Sequence, residues 1–133
     1  MNAPVKDRHN YYAKLPTEAG GFRVLGEPAG DPHTQKMTNY KDKWTNDDQL
    51  WWVGAKPGDK LEVALPVKAK GKQRVSVILT KARDYAVVQL SLDGKPLGKP
   101  IDLYNPTVIS TGPIPLGTID LADGEHVLGV EIV

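Results

Sequence analysis

From Leu61 onward, apolar residues recur at every second position. This period constrains the chain more than any other feature, because it suits strands with one buried face and does not fit the 3.6-residue turn of a helix. Leu61, Val63 and Leu65 form one such face, and Val75, Val77 and Leu79 form another after the Lys70-Gly71-Lys72 turn. Ala86, Val88, Leu90 and Leu92 follow, opposite Tyr85, Val87, Gln89 and Ser91. Asp93-Gly94 then supplies positive-φ residues for a tight hairpin.

The last third is divided by Pro96, Pro100, Pro106, Pro113 and Pro115, which do not fit helix interiors. Ile101-Asp102-Leu103 and Leu116 to Leu121 read as short strands between the prolines. Asp123-Gly124 turns the chain again, and His126 to Val133 forms a closing strand. No segment has the pattern of an amphipathic helix.

Short strands at a spacing of about 8–12 residues, split by glycine, proline and Asp-Gly turns, predict an all-β chain folded as an antiparallel β-sandwich. With 133 residues there is material for one core and not for two. We assign residues 21–133 to a single β-sandwich domain. Residues 1–20, rich in charge and running into Gly20-Gly21, are expected to be a loosely packed leader or linker. The sequence stops inside an apolar strand, which suggests a longer parent chain.

The charges nearly cancel, 17 basic against 16 acidic, and no long basic stretch alternates with aromatics. Nucleic acid is therefore not an expected partner. Lys68, Lys70 and Lys72 read as a solubilising hairpin tip. Apolar runs are strand-sized, so no transmembrane helix is expected. Cysteine is absent, which excludes disulfides, thiolate metal sites and a cysteine nucleophile. The first residues lack the apolar core of a signal peptide, so an exported protein would have lost its signal or would carry it on the longer parent.

All three tryptophans lie between Trp44 and Trp52, beside Asn46, Asp47, Asp48 and Gln49. Indoles among amides and carboxylates suit a pyranose, whose apolar face packs on a ring while polar neighbours bond its hydroxyls.

The stretch from Trp44 to Val133 resembles a galactose-binding-like jelly-roll domain, of the kind that includes carbohydrate-binding module families 6 and 35. The residues that carry the resemblance begin with Gln49-Leu50-Trp51-Trp52 and Gly54 to Leu61. They continue with Thr80 to Tyr85, Leu92-Asp93-Gly94, Ile101 to Pro106, and Leu116-Gly117 through Gly124-Glu125-His126 to Val133. More narrowly, the chain is similar to the accessory β-sandwich of bacterial glycoside hydrolases of the difructose-anhydride hydrolase type. The resemblance implies a jelly-roll sandwich with a non-catalytic, sugar-binding or domain-packing role, in an extracellular or periplasmic bacterial protein.

Candidate ligand-binding residues are Trp44, Asp48, Trp51, Lys81, Asp84, Tyr85, Tyr104 and Asn105. Adjacent Trp51 and Trp52 point to opposite faces of a strand. Because Trp52 shares a face with Leu50, we expect Trp52 in the core and Trp51 exposed, unless both simply pack. Trp44 either lines a loop-built site or closes one end of the sandwich. Lys81 to Tyr85 joins two core strands at a rim, where sites are commonly built; a surface ion pair with a half-buried tyrosine is the alternative. Asp102, Tyr104 and Asn105 lead into a loop as a second polar group, or serve as turn residues.

Asn46, Asp47 and Asp48 offer oxygen ligands for a structural calcium, although the spacing of a calcium loop is missing. An Asx turn that stabilises the approach to the strand is the better explanation of them. No cofactor is expected. His9, His33 and His126 lack metal-ligand spacing, and only Asp84 with Asp102 is worth testing as a glycosidase carboxylate pair.

These readings point to a non-catalytic carbohydrate-binding module that targets an attached polysaccharide-degrading enzyme to its glycan. A structural sandwich docking on a catalytic domain or subunit is the alternative.

Overall fold

The alternating apolar positions are realised as two antiparallel sheets packed face to face. A computed structural model of the chain describes the strand segments 5–6 and 18–19, and residues 22–40, 42, 44, 47–68 and 70–133. The strands are β1 (Val5–Lys6), β2 (Glu18–Ala19), β3 (Phe22–Arg23), β4 (Asp31–Lys36), β5 (Asp48–Val53) and β6 (Lys60–Val67). They continue with β7 (Gly71–Lys81), β8 (Val87–Leu92), β9 (Lys95–Asp102), β10 (Ile109–Leu121) and β11 (Gly124–Ile132). Among the described residues there is no α-helix.

One sheet runs in the order β10-β7-β1-β5-β4 and the other in the order β6-β11-β8-β9, with β2 and β3 forming a small ribbon. The chain changes sheet between β5 and β6, β6 and β7, β7 and β8, β9 and β10, and β10 and β11. This repeated crossing is the behaviour expected of a jelly roll. Because each crossover places consecutive apolar strands on opposite layers, the core fills from both sides.

Leu50 and Trp52 of β5, Val77 and Leu79 of β7, and Leu121 of β10 meet Leu61, Val63, Val88, Leu90, Val130 and Ile132 of the other layer. Each such fully buried side chain contributes about 1.5–3 kcal/mol. The register of β11 explains the alternation: Val130 lies opposite both Leu61 and Leu90, so three apolar rows face the same way. Asp93 and Gly94 both take positive φ, 50° and 83°, in the tight β8–β9 turn.

Two regions depart from the sequence expectation. Val5 of β1 stands opposite Leu50 and Leu79, so part of the stretch expected as a loose leader enters the first sheet. It fills the space between β5 and β7, whose backbone groups would otherwise lack partners there. The other residues of that stretch, apart from 18–19, lie outside the described residues.

β9 and β10 are also longer than the short strands expected between prolines. Both are edge strands, where a proline can sit without removing a hydrogen bond from an inner ladder. In β10 the pairing shifts between Ser110 and Pro113 and again between Pro115 and Gly117. These irregularities let Pro113 and Pro115 pass within a continuous strand.

Candidate site at the loop rim

Three connections meet at one end of the sandwich: the described residues 37–40, 42, 44 and 47, between β4 and β5; 82–86, between β7 and β8; and 103–108, between β9 and β10. Backbone hydrogen bonds fix their mutual positions. The Ala82 N–H donates to Leu103 O over 3.0 Å, Asn105 N–H to Ala82 O over 3.0 Å, and Leu103 N–H to Ala86 O over 3.1 Å. Asp42 Oδ2 accepts the Ser110 N–H over 2.8 Å and so ties the first connection to the start of β10.

Between these segments lies an open groove of about 640 Å³, lined by Asn39, Tyr40, Asp42, Pro106, Thr107, Val108 and Ile109. Tyr40 is 37% exposed. Its ring meets that of Trp44 edge-on, with centroids 6.2 Å apart and planes at 68°. Trp44 is buried, and its indole N–H donates to Thr80 Oγ1 over 2.8 Å. The indole therefore supports the tyrosine from beneath, leaving Tyr40 as the ring that faces solvent.

Tyr85 is half-buried on the same rim. Gln49 Nε2 donates to the Tyr85 hydroxyl over 3.2 Å and to Gln35 Oε1 over 2.7 Å. Burial pushes the Tyr85 phenol up to about 12; the Gln49 bond opposes this rise, while nearby Asp84 and Tyr40 add to it. Tyr85 is a neutral hydroxyl that orders the rim at ordinary pH.

Tyr104, 53% exposed, has its N–H bound to Asp102 Oδ1 at 2.9 Å. The Asn105 side-chain amide donates to Thr107 O and Thr107 Oγ1. Asp102 and Asn105 thus shape a turn, as the structural reading of this segment anticipated, while Tyr104 stays available. Lys81 is half-buried at the rim end of β7, where its backbone pairs with Ile109 of the groove wall. Asp84 is exposed on its connection.

None of the eight expected site residues lines this groove. Trp51 does not line it; its ring sits 5.1 Å from that of His33, directly opposite on β4. Trp51 is half-buried rather than exposed, because the cross-strand imidazole covers it. Trp52 is fully buried, as expected, and its indole N–H donates to Ala29 O over 2.7 Å. Asp48 is buried, with Lys36 Nζ 3.7 Å from its Oδ2.

In the stretch considered for calcium, Asp47 takes a positive φ of 55° and Asn46 lies outside the described residues, as does His9. Among the described residues, no cluster of three or more acidic, histidine or cysteine side chains is placed to hold a metal.

Sequence reasoning overlooked Asn39, Tyr40, Asp42 and Thr107. A signal was present: an aromatic flanked by an amide and a carboxylate, in a polar connection just ahead of the tryptophans.

No protein-family model and no curated protein matches this sequence. The fold is similar to part of the xanthan lyase of Paenibacillus, with a TM-score of 0.72 and 18% sequence identity. That similarity covers 91% of this chain and 11% of the lyase chain. At this identity the shared property is the β-sandwich itself.

Proposed function

We propose that the chain is a non-catalytic carbohydrate-binding sandwich that holds a glycan at the loop-rim groove and serves an attached polysaccharide-degrading enzyme in an exported bacterial protein. The observation that carries this reading is the exposed Tyr40 ring, held edge-on by Trp44, in a groove that also presents Asn39, Asp42 and Thr107. A sugar ring stacks on the tyrosine while amide, carboxylate and hydroxyl groups take its hydroxyls. Tyr104, exposed on the β9–β10 connection, offers a further ring to a long glycan.

The fold likeness to a stretch of xanthan lyase supports an association with polysaccharide chemistry. Affinity is modest, because an open groove exchanges water bonds for protein bonds and immobilises a flexible ligand. Attachment to an enzyme compensates by raising the local concentration of substrate.

The test is calorimetric titration with xanthan fragments and a panel of neutral plant and algal glycans. Binding to at least one, weakened tenfold or more by Tyr40→Ala at unchanged melting temperature, is the expected result. Absence of binding across the panel overturns the reading.

A docking sandwich without sugar binding is the second reading, and the similarity to only 11% of a much longer lyase chain favours it. Its mark is a change in association with a catalytic domain when Tyr40 or Tyr104 becomes alanine, with no glycan response. A small lyase or hydrolase would instead release product from the panel and lose that activity in Asp84→Asn or Asp102→Asn.

A further inference from the structure

The pole opposite the groove carries a hydrogen-bonded cluster that the sugar-binding reading does not use. There the β8–β9 turn at Asp93-Gly94 lies beside the β10–β11 connection. His126 Nδ1 is 2.6 Å from Asp93 Oδ2, and its Nε2 is 2.7 Å from Ala122 O. The other Asp93 oxygen accepts the Val127 N–H over 2.8 Å, and Asp93 N–H donates to Val127 O over 2.8 Å. Both partners of the imidazole are acceptors, a carboxylate and a carbonyl. Only a ring protonated on both nitrogens satisfies both at once.

We propose that His126 and Asp93 form a pH-operated latch that clamps the β10–β11 connection onto the β8–β9 turn, closed while the imidazole carries two protons and opened when it loses one. A neutral ring must turn a lone pair toward either Asp93 or Ala122, so one of the two bonds becomes a repulsion. With its side chain 13% exposed, His126 has little room to recruit water in exchange.

The surrounding charges are consistent with this device. Lys95, just past the turn, acts on Asp93. Asp123 and Glu125 flank His126 in sequence, and Glu125 is paired with Arg23. From β6, the residue opposite His126 is Leu65, with Pro66 and Ala64 on either side, and none of these titrates.

The Asp93 hydrogen bond, with the Ala122 carbonyl next, raises the His126 pKa above its ordinary 6.5. Asp93 lies below its ordinary 3.8: partial burial acts the other way but is outweighed by the bonds from His126 and Val127. Stabilisation by His126 is therefore complete below pH 6.5 and is lost as pH rises through its raised value. Stabilisation by Asp93 is present above pH 3.8 and is lost as pH falls through its lowered value. The latch closes across the mildly acidic range.

The experiment follows the His126 ring by NMR from pH 4 to pH 10 in the wild-type chain and in Asp93→Asn. The latch predicts a midpoint above 6.5 in the wild type and a fall toward 6.5 in the variant. It also predicts that the unfolding constant in urea rises about tenfold between mildly acidic and alkaline pH for each unit of that elevation, a dependence absent from His126→Gln. A wild-type midpoint at or below 6.5 overturns the proposal. So does a midpoint that Asp93→Asn leaves in place, or a pH dependence that His126→Gln retains.

Discussion

Trp44 and Thr80 join the rim to the interior: the indole N–H donates to Thr80 Oγ1 over 2.8 Å, and both residues are buried. This bond holds the platform beneath Tyr40. Thr80→Val leaves the indole donor buried without its acceptor and is expected to cost about 1–3 kcal/mol in urea unfolding. Adding Trp44→Phe removes that donor, so the double variant should lose less than the sum of the single losses. Additive losses would show that the bond is not an energetic unit.

Gly30 and Gly26 give a matched pair of backbone tests. Both have positive φ, but a Cβ at Gly30 would meet Val53 O at 2.5 Å and Trp52 Nε1 at 3.1 Å, whereas one at Gly26 meets nothing within 4 Å. Gly26→Ala should cost only the conformational strain of about 1–2 kcal/mol. Gly30→Ala should cost more, because a carbonyl oxygen must move and the nearby Trp52–Ala29 bond is disturbed with it. Comparison of melting temperatures decides the order.

Trp51 and Trp52 should respond differently to the same substitution. The Trp52 N–H is bonded to Ala29 O, while the buried Trp51 N–H has no partner among the described residues. Trp52→Phe therefore loses a hydrogen bond and leaves a void in a fully buried site. Trp51→Phe removes an unsatisfied donor whose burial costs about 1–3 kcal/mol, which offsets the smaller ring. Urea unfolding should find Trp51→Phe clearly the milder change.

Tyr85 should be the late-titrating phenol. Ultraviolet titration is expected to show a tyrosine step at about 12 that Tyr85→Phe abolishes. The same substitution removes the hydroxyl that Gln49 meets. If the late step persists in Tyr85→Phe, the phenol is not buried as described.

Much of the fold was legible because period two encodes burial directly. Leu61, Val63, Val88 and Leu90 alternate in sequence and are all buried in the core. Asp93-Gly94 announced its turn because few other residues tolerate positive φ twice in succession. β4, by contrast, left almost no trace: Asp31-Pro32-His33-Thr34-Gln35-Lys36 has no apolar face, and it is a strand because β5 offers it a ladder. Edge position likewise turned the prolines of β9 and β10 from breaks into strand residues.

The site was legible only in part. Tyr85, Tyr104 and Asn105 sit in the connections at the rim, but the groove itself is lined by other residues. Trp44 drew notice as an indole, yet its contact with Thr80 buried it, and the exposed role passed to Tyr40. Strand alternation alone could divide Trp51 from Trp52, placing Trp52 in the core. It could not foresee that His33 would cover Trp51.

By itself, the sequence determined an all-β chain, its main core faces and its tight turns, since these depend on neighbours a few positions away. Tertiary structure decided which aromatic meets solvent, where β1 and β4 join a sheet, and that Asn39, Tyr40 and Asp42 form one groove with residues 106–109. Those outcomes depend on contacts between segments far apart in the chain, and no local period records them.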